Sequence, residues 1–495
     1  MNALLWHKVL LLALPVVPAL GALLAGMVPS KAARLIRATG WIFSFVTLVL
    51  WVGLRLSFPS GDGLVLEVRA PWVTDLGIGL HFGLDWNGLL MSGLIALVAF
   101  AATVGTLPSL PELNRAHVVC LLMAEAGMMG VVTSWDLILF ISFWEITLVP
   151  FFFLMGKGPS RGGVPAASRF FITSVMSSVL MWVGVLVLVK AAGLPRTFDL
   201  VELANRLGQE SMCLAAGVWL IAPAFFMRMA IVPLHTWFPV ASANVSTAAS
   251  VMLAGGVVPL GGFGLVHVLD RLLGPSLCGL GQWAVWIGLV TGLSGAVASL
   301  VQRDLKRFLS FICTAWAGLS LVALGLPDAS AHSAGLILLV ASGISGATLF
   351  LFVGVVCRAR GSQRVLELGG VGHARPAFVG FAFAAVASLS ALPGTLGFSA
   401  ISLLLKASLG EPWIVYCLAL TLFLIGASTL WTFWRVIGGS FQEEVWTHEK
   451  WPLRRQVFIM VLITAVVLVG GLLPTWLLAP GQGPVAGWSI GERLP

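Results

Sequence analysis

A single cation, Arg228, sits inside the apolar run 211–232, and a few residues later the run is interrupted by Pro233-Leu234-His235-Thr236-Trp237-Phe238-Pro239. A charge in hydrocarbon costs roughly 2.5–3.5 kcal/mol on insertion scales, so it persists where it faces a protein interior, a water-filled cavity or a counter-charge. An acid answers it: Glu145 lies midway along another apolar run, Ser142-Phe143-Trp144-Glu145-Ile146-Thr147-Leu148-Val149-Pro150. A lone carboxylate at that depth pairs with a cation or takes up a proton. Arg228 is its natural partner, and the two together point to the handling of protons or ions.

Other residues could extend that chemistry. Glu125 lies within an apolar run, whereas Asp136, at the start of one, can also be read as a marker of the membrane surface. His235 sits at the broken segment and His267 near the end of the following run; each is either a proton shuttle or a ring satisfied by a backbone carbonyl. A second interruption, Leu392-Pro393-Gly394-Thr395, comes five spans after the first. Proline removes a backbone donor and glycine loosens a helix, so Pro233, Pro239, Pro393 and Gly394 mark places where carbonyls need water, a side chain or an ion. An ordinary packing kink is the alternative at either break.

The elements that position these residues follow from composition. Of 495 residues, 59% are hydrophobic and 10% charged, which defines a polytopic membrane protein. Apolar runs this long satisfy their backbone as α-helices, and the ~10-residue alternation of a membrane β-barrel is missing. At ~20 residues per crossing, about fourteen spans can be read: 4–27, 35–57, 86–107, 115–133, 135–156, 168–190, 211–232, 247–269, 282–302, 306–326, 332–357, 376–404, 412–437 and 456–478. No strands are evident, and no linker separates a soluble domain, so 1–495 reads as one membrane domain.

The net charge of +8 comes from basic residues in short connections, which is topology rather than a nucleic-acid surface. Lys31, Arg34 and Arg37, then Lys157 and Arg161, then Arg303, Lys306 and Arg307, then Arg358, Arg360, Arg364 and Arg375 follow odd-numbered spans. Those connections are expected in the cytoplasm, with both termini outside. The connection 58–85, carrying Asp62, Glu67, Asp75 and Asp85, falls on the outer side. The first span lacks a cleavage site before Lys31 and reads as a retained helix.

Cys120, Cys213, Cys278, Cys313, Cys357 and Cys417 are scattered singly, without the spacing of a zinc or iron–sulfur site, and read as small apolar residues. No glycine-rich phosphate loop follows a strand. The chain is therefore expected to hold no cofactor of its own: no NADH, flavin, iron–sulfur cluster or defined quinone pocket.

Phe226-Met227-Arg228-Met229-Ala230-Ile231-Val232-Pro233-Leu234-His235-Thr236-Trp237-Phe238-Pro239, followed by Ser246-Thr247-Ala248-Ala249-Ser250-Val251-Met252-Leu253-Ala254-Gly255, resembles the antiporter-like subunits of complex I and the Mrp cation antiporters. Phe143-Trp144-Glu145, Asp304-Leu305-Lys306-Arg307 and Leu392-Pro393-Gly394-Thr395 add to the resemblance, which covers the second to fourth fifths of the chain. Within that family, length and span number are most similar to NADH-quinone oxidoreductase chain M. The resemblance implies an all-α fold with two inverted five-helix repeats, broken at helices 7 and 12. Helices 1–3 would occupy 1–110, the first repeat (helices 4–8) 111–270, the second (helices 9–13) 280–438, and helix 14 456–478. It also implies a hydrated axis carrying protons, and partners in a multi-subunit complex of a bacterial inner membrane, with quinone reached only through neighbouring subunits.

Several positions depart from the family pattern. Glu145 matches the family's fifth-span carboxylate, but the lysines expected opposite it and at the start of the sixth span are Arg228 and Arg169. Arginine keeps its charge to a pH above about 12, so it fits a fixed counter-charge better than a proton relay. Relay positions of the eighth, tenth, eleventh and twelfth spans fall at Pro259, Trp316, Ser342 and Ile401, none of which titrates. Lys406 either replaces Ile401 from another face or snorkels to the interface. Asp304 and Lys306 serve either as the start of the second half-channel or as a positive-inside anchor. Two functions follow: a proton- or cation-translocating subunit, and a structural homologue whose own path has decayed. A membrane partner of a hydrogenase-like, Mrp-like or inorganic-carbon-uptake assembly is the further alternative.

Overall fold

The computed structural model describes residues 2–59, 63–106, 115–156, 162–207, 212–273, 279–438 and 454–474. Lys157, Arg161, Asp62, the Cys278 position and the chain beyond 474 lie outside them. Twelve helices are long and apolar enough to cross a membrane. The chain begins with α1 (Asn2–Met27), α2 (Ala33–Ser57), a hairpin of β1 (Leu66–Val73) and β2 (Ile78–Leu84), and α3 (Trp86–Thr106). It continues through α4 (Arg115–Thr133), α5 (Leu137–Gly156), α6 (Gly163–Ala192), α7 (Leu200–Arg206), α8 (Met212–Arg228) and α9 (Trp237–Asn244). α10 (Thr247–Met252), α11 (Val258–Gly264) and α12 (Arg271–Leu273) form one rod interrupted by π-turns at Leu253–Val257 and Leu265–Asp270. α13 (Leu280–Leu300), α14 (Leu305–Gly325), α15 (Ala329–Arg360), α16 (Val371–Ala374), α17 (Pro376–Leu389), α18 (Leu396–Ala407), α19 (Pro412–Ile437) and α20 (Arg454–Leu472) complete it. Among the described residues, the regions read as the seventh and twelfth spans hold shorter helices, α8/α9 and α17/α18, beside these twelve long ones.

The hairpin corrects the expectation of no strands. Leu66 pairs with Leu84 and Val73 with Ile78 in antiparallel register, turned by a short 3-10 segment ending at Gly77, whose φ of +73° suits glycine. An added Cβ there would stand 2.0 Å from the Arg196 carbonyl oxygen. The pair was hidden in sequence because Pro71 and three glycines dilute its apolar alternation, and its register depends on docking against the α4–α5 junction.

Both split spans end the same way. Ala230 and Ala391 are the non-glycine residues with positive φ, 59° and 51°. Ala230 N–H donates to Met227 O and Ile231 N–H to Phe226 O; Ala391 N–H donates to Ser388 O and Leu392 N–H to Ala387 O. Each is a Schellman-type helix stop with alanine in the left-handed position that usually takes glycine. The first break therefore opens at Met229, ahead of the prolines that signalled it.

A second backbone pattern also occurs twice. Leu137 N–H donates to Phe198 O and Leu200 N–H to Trp135 O; Leu305 N–H donates to Gln363 O and Val365 N–H to Arg303 O. In both, an aspartate caps the helix that follows: Asp136 Oδ1 accepts from Ile138 N–H, and Asp304 Oδ1 from Arg307 N–H. The two copies lie at opposite ends of the bundle. The hairpin, 134–136, 196–199 and 267–271 meet at one end through Trp135 N–H to His81 O and His267 to Ser134 O. At the other end, Lys306 reaches Val245 O, His117 meets Ser246, and Arg115 reaches Val28 O. The basic connections after α1, α13 and α15 thus share the end opposite the hairpin.

Candidate functional site: the cation at the first helix break

Arg228 is the last residue of α8, and it is 3% exposed. Its Nη2 donates to Thr147 Oγ1 at 2.6 Å and to the Trp144 carbonyl at 3.1 Å, and its guanidinium stands 4.4 Å from the Trp144 ring centroid. The Trp144 carbonyl is a shared acceptor, since Thr147 Oγ1 also donates to it at 2.7 Å while itself accepting from Arg228. Nε and Nη1 have no hydrogen-bond partner. A cavity of about 10 Å³, lined by Thr173, Ser174, Ser177, Met227, Arg228 and Trp237, lies beside them, enough for about one water. The freed Met227 carbonyl at the break accepts from the Trp237 indole at 2.7 Å.

Glu145 acts on Arg228 electrostatically, but no direct ion pair within 4.0 Å forms between them. The carboxylate sits on the half-exposed flank of α5, next to exposed Ser142 and Val149, while the residues either side of it in the helix turn inward to hold the cation. The contact read from sequence is therefore replaced by a neutral cradle one residue away. Arg169 is exposed on α6 and does not join this group. Glu125 is fully buried in α4, and neither of its oxygens meets hydrogen-bond geometry; Thr47, the hydroxyl facing it, donates to Phe43 O instead. His235 is half-buried in the broken segment, its ring 6.0 Å from Phe311.

Between the two breaks the interior carries hydroxyls together with the buried Lys306. Ser242 and Ser310 Oγ are in direct hydrogen-bond contact, Ser310 donates to Lys306 O, and Ser250 donates to Ser242 O. Lys306 is 4% exposed and its Nζ donates to Val245 O at 3.2 Å, so it is an interior group rather than a loop anchor. Asp304 spends its carboxylate on the α14 cap. At the second break, Trp316 is fully buried and its indole donates to the Leu389 carbonyl at 3.1 Å. Ser388 is bound by Ser345 and by the Gly397 amide. Pro259, Ser342 and Ile401 are all buried. Lys406 is exposed near the α18 terminus, on the interfacial side, and does not stand in for Ile401. Pro393 and Gly394 form the turn into α18, capped by Thr395.

Sequence reasoning missed the polar group at the hairpin end. His267 is held by Ser134 O at 2.8 Å and stacked between Phe263 and Phe140, which is the satisfied-ring alternative rather than a shuttle. Arg271 pairs with Asp85 and lies 3.8 Å from the Trp135 ring. His81 meets Asp199, from 118 residues away. At the cap of α5, just before the helical span begins at Leu137, burial raises the Asp136 carboxyl above its ordinary value.

A many-helix membrane bundle with two split spans, a buried cation at one split and a hydroxyl-lined interior between them defines a polytopic protein of the antiporter-like class. A family model described as NADH:quinone oxidoreductase/Mrp antiporter, TM, matches residues 134–426, and the chain belongs to that family. It is similar to NAD(P)H-quinone oxidoreductase chain 4 2 of Synechococcus sp. strain JA-3-3Ab, 28% identical over 93% of this chain and 90% of the relative. Its fold is similar to a chain of respiratory complex I from Thermus thermophilus, with a TM-score of 0.84 and 23% identity over 94% and 96% of the two chains. It is likewise similar to a chain of the Mrp complex of Dietzia sp. DQ12-45-1b, with a TM-score of 0.80 and 21% identity over 93% and 94%.

Proposed function

We propose that this chain is an antiporter-like membrane-arm subunit of a complex-I-type NADH-quinone oxidoreductase. It moves protons or cations while electrons pass through other subunits, and it holds no redox cofactor itself. The observation that carries this reading is Arg228, a cation buried at a helix break and cradled by the helix that bears Glu145. Arginine holds its charge, so in this reading Glu145 is the group that gains and loses the proton while Arg228 sets the field around it. The twice-used backbone pattern at opposite bundle ends supports two inverted five-helix units, 111–270 and 280–438, each with a half-channel. The chain would sit in a bacterial inner membrane with basic connections inside and both termini outside.

Purification from the native membrane in mild detergent, with mass spectrometry of what accompanies the chain, tests the assembly. Flavin, iron–sulfur and quinone-site subunits are expected; a soluble carbon-handling or other non-redox partner would retire the oxidoreductase reading. In the reconstituted assembly, Glu145→Gln is expected to abolish coupled proton movement while leaving assembly intact, whereas Arg228→Ala also harms assembly. Unimpaired pumping in both variants removes them from the path.

One observation favours a second reading, a structural subunit that does not pump. Trp316 is buried and donates to the Leu389 carbonyl at the second break, and Pro259 and Ile401 are buried apolar residues. Normal assembly with no proton movement attributable to this chain would support it.

A further inference from the structure

At the hairpin end, His81 on β2 is 2% exposed and both of its ring nitrogens face carboxylates. Nδ1 is hydrogen-bonded to Asp199 Oδ2 at 2.6 Å, whereas Nε2, buried and without a hydrogen-bond partner, stands 3.6 Å from Oε2 of half-exposed Glu67. A neutral imidazole has one N–H and one lone pair, so either tautomer directs a lone pair at a carboxylate oxygen in a place nearly closed to water. Only the doubly protonated ring presents hydrogens to both.

We propose that His81 is a proton-binding site whose imidazolium fastens the β1–β2 hairpin over the end of the helix bundle, making hairpin docking proton-dependent. This stands apart from translocation through the first break and does not rest on it. The contact joins separate elements: Asp199 is the cap of α7, where it also accepts from Val201 and Glu202 N–H, while Glu67 belongs to β1. Arg69 of β1 shares both carboxylates, with Nε 3.2 Å from Glu67 and Nη1 3.9 Å from Asp199, but it is half-exposed and its attraction is screened. Asp136, at the α4–α5 junction, adds a further negative neighbour to Asp199. Behind the Trp135 ring, 6.0 Å from His81, His267 is taken by Ser134 O, and Arg271 by Asp85. Arg69 meets the same two carboxylates from the exposed side, whereas His267 and Arg271 are engaged elsewhere. Without its proton, Glu67 and Asp199 face an uncharged ring.

Docking here covers a seam of backbone contacts that the proton would hold closed. Trp135 N–H donates to His81 O at 2.9 Å, Gly79 N–H to Asp136 Oδ2 at 3.1 Å, and Phe198 N–H to Gly77 O at 3.2 Å. These amides report the docked state directly.

The test uses the full chain in lipid vesicles, labelled with ¹⁵N-histidine, with His81→Gln identifying the His81 resonances. Two protonated ring nitrogens are expected for His81 while the hairpin is docked. Hydrogen exchange at the Gly79 and Trp135 amides is expected to be about tenfold or more faster in His81→Gln, the loss of a charge-assisted contact. Raising the pH should bring the unaltered chain to the same rate. His81→Lys, a cation at any ordinary pH, should restore slow exchange. A neutral His81 tautomer in the docked hairpin overturns the proposal, as does wild-type protection in His81→Gln across the pH range. Loss of protection that His81→Lys does not restore would assign the effect to ring shape and overturn it as well.

Discussion

Arg228 and Trp144 meet twice: the guanidinium lies 4.4 Å from the indole centroid and also donates to the carbonyl of the same residue at 3.1 Å. The cation at the first helix break is thus held by one face and one backbone oxygen of the residue that precedes Glu145. A cation–π contact in a desolvated place contributes about 2 kcal/mol, and the bond to a charged donor about 1.5–3 kcal/mol.

Thr147→Val removes the hydroxyl at 2.6 Å and leaves a guanidinium N–H dependent on Trp144 O alone. We expect a loss of about 1–3 kcal/mol, measured by thermal unfolding in detergent, while Thr147→Ser retains stability within about 1 kcal/mol. Equal stability in the valine variant would show that the Thr147 hydroxyl does not stabilise the cation.

Gly261 of α11 faces the first break so closely that an added Cβ would lie 2.6 Å from Met229 N. Backbone cannot swing aside as a side chain does. Gly261→Ala should cost about 1–3 kcal/mol by overpacking and should lower proton movement in the reconstituted assembly by displacing Arg228. A silent variant in both readouts would mean that the break relaxes freely.

Trp316→Phe keeps most of the volume but strips the donor from the Leu389 carbonyl. An expected loss of about 1–3 kcal/mol follows from the unsatisfied group. Trp316→Ala should cost about 3–5 kcal/mol through the cavity it leaves. If the indole is what keeps the second break dry, the alanine variant also leaks protons in liposomes, and tight liposomes would remove that role.

Burial pushes the Asp199 carboxyl up, but the His81 hydrogen bond, the Glu202 N–H and the charges of His81 and Arg69 together hold it below its ordinary value. A depressed carboxylate contributes stability that is fully present above its unfolded pKa of about 4 and is lost as pH falls through the folded value. Acid melting below about pH 4 should therefore be shallower in Asp199→Asn than in the unaltered chain. Identical acid limbs would show that Asp199 gains nothing from His81.

The sequence by itself determined the membrane-spanning class, the twelve long apolar helices, the common end of the basic connections after α1, α13 and α15, and the places where helices stop near Pro233 and Pro393. Each of these is local: ~20 apolar residues cannot satisfy their backbone in lipid other than as a helix, and clustered proline or Pro-Gly residues lower helix propensity where they occur. Arg228 and Glu145 were legible for the same reason, since a charge in an apolar run needs no partner to be conspicuous. Which groups meet was decided only by tertiary structure. Helix rotation turned Trp144 and Thr147, not Glu145, onto Arg228, and bundle packing brought Lys306 inside to Val245. The hairpin and the His81–Asp199 contact were illegible because they join residues 118 positions apart on elements whose register exists only once they are docked.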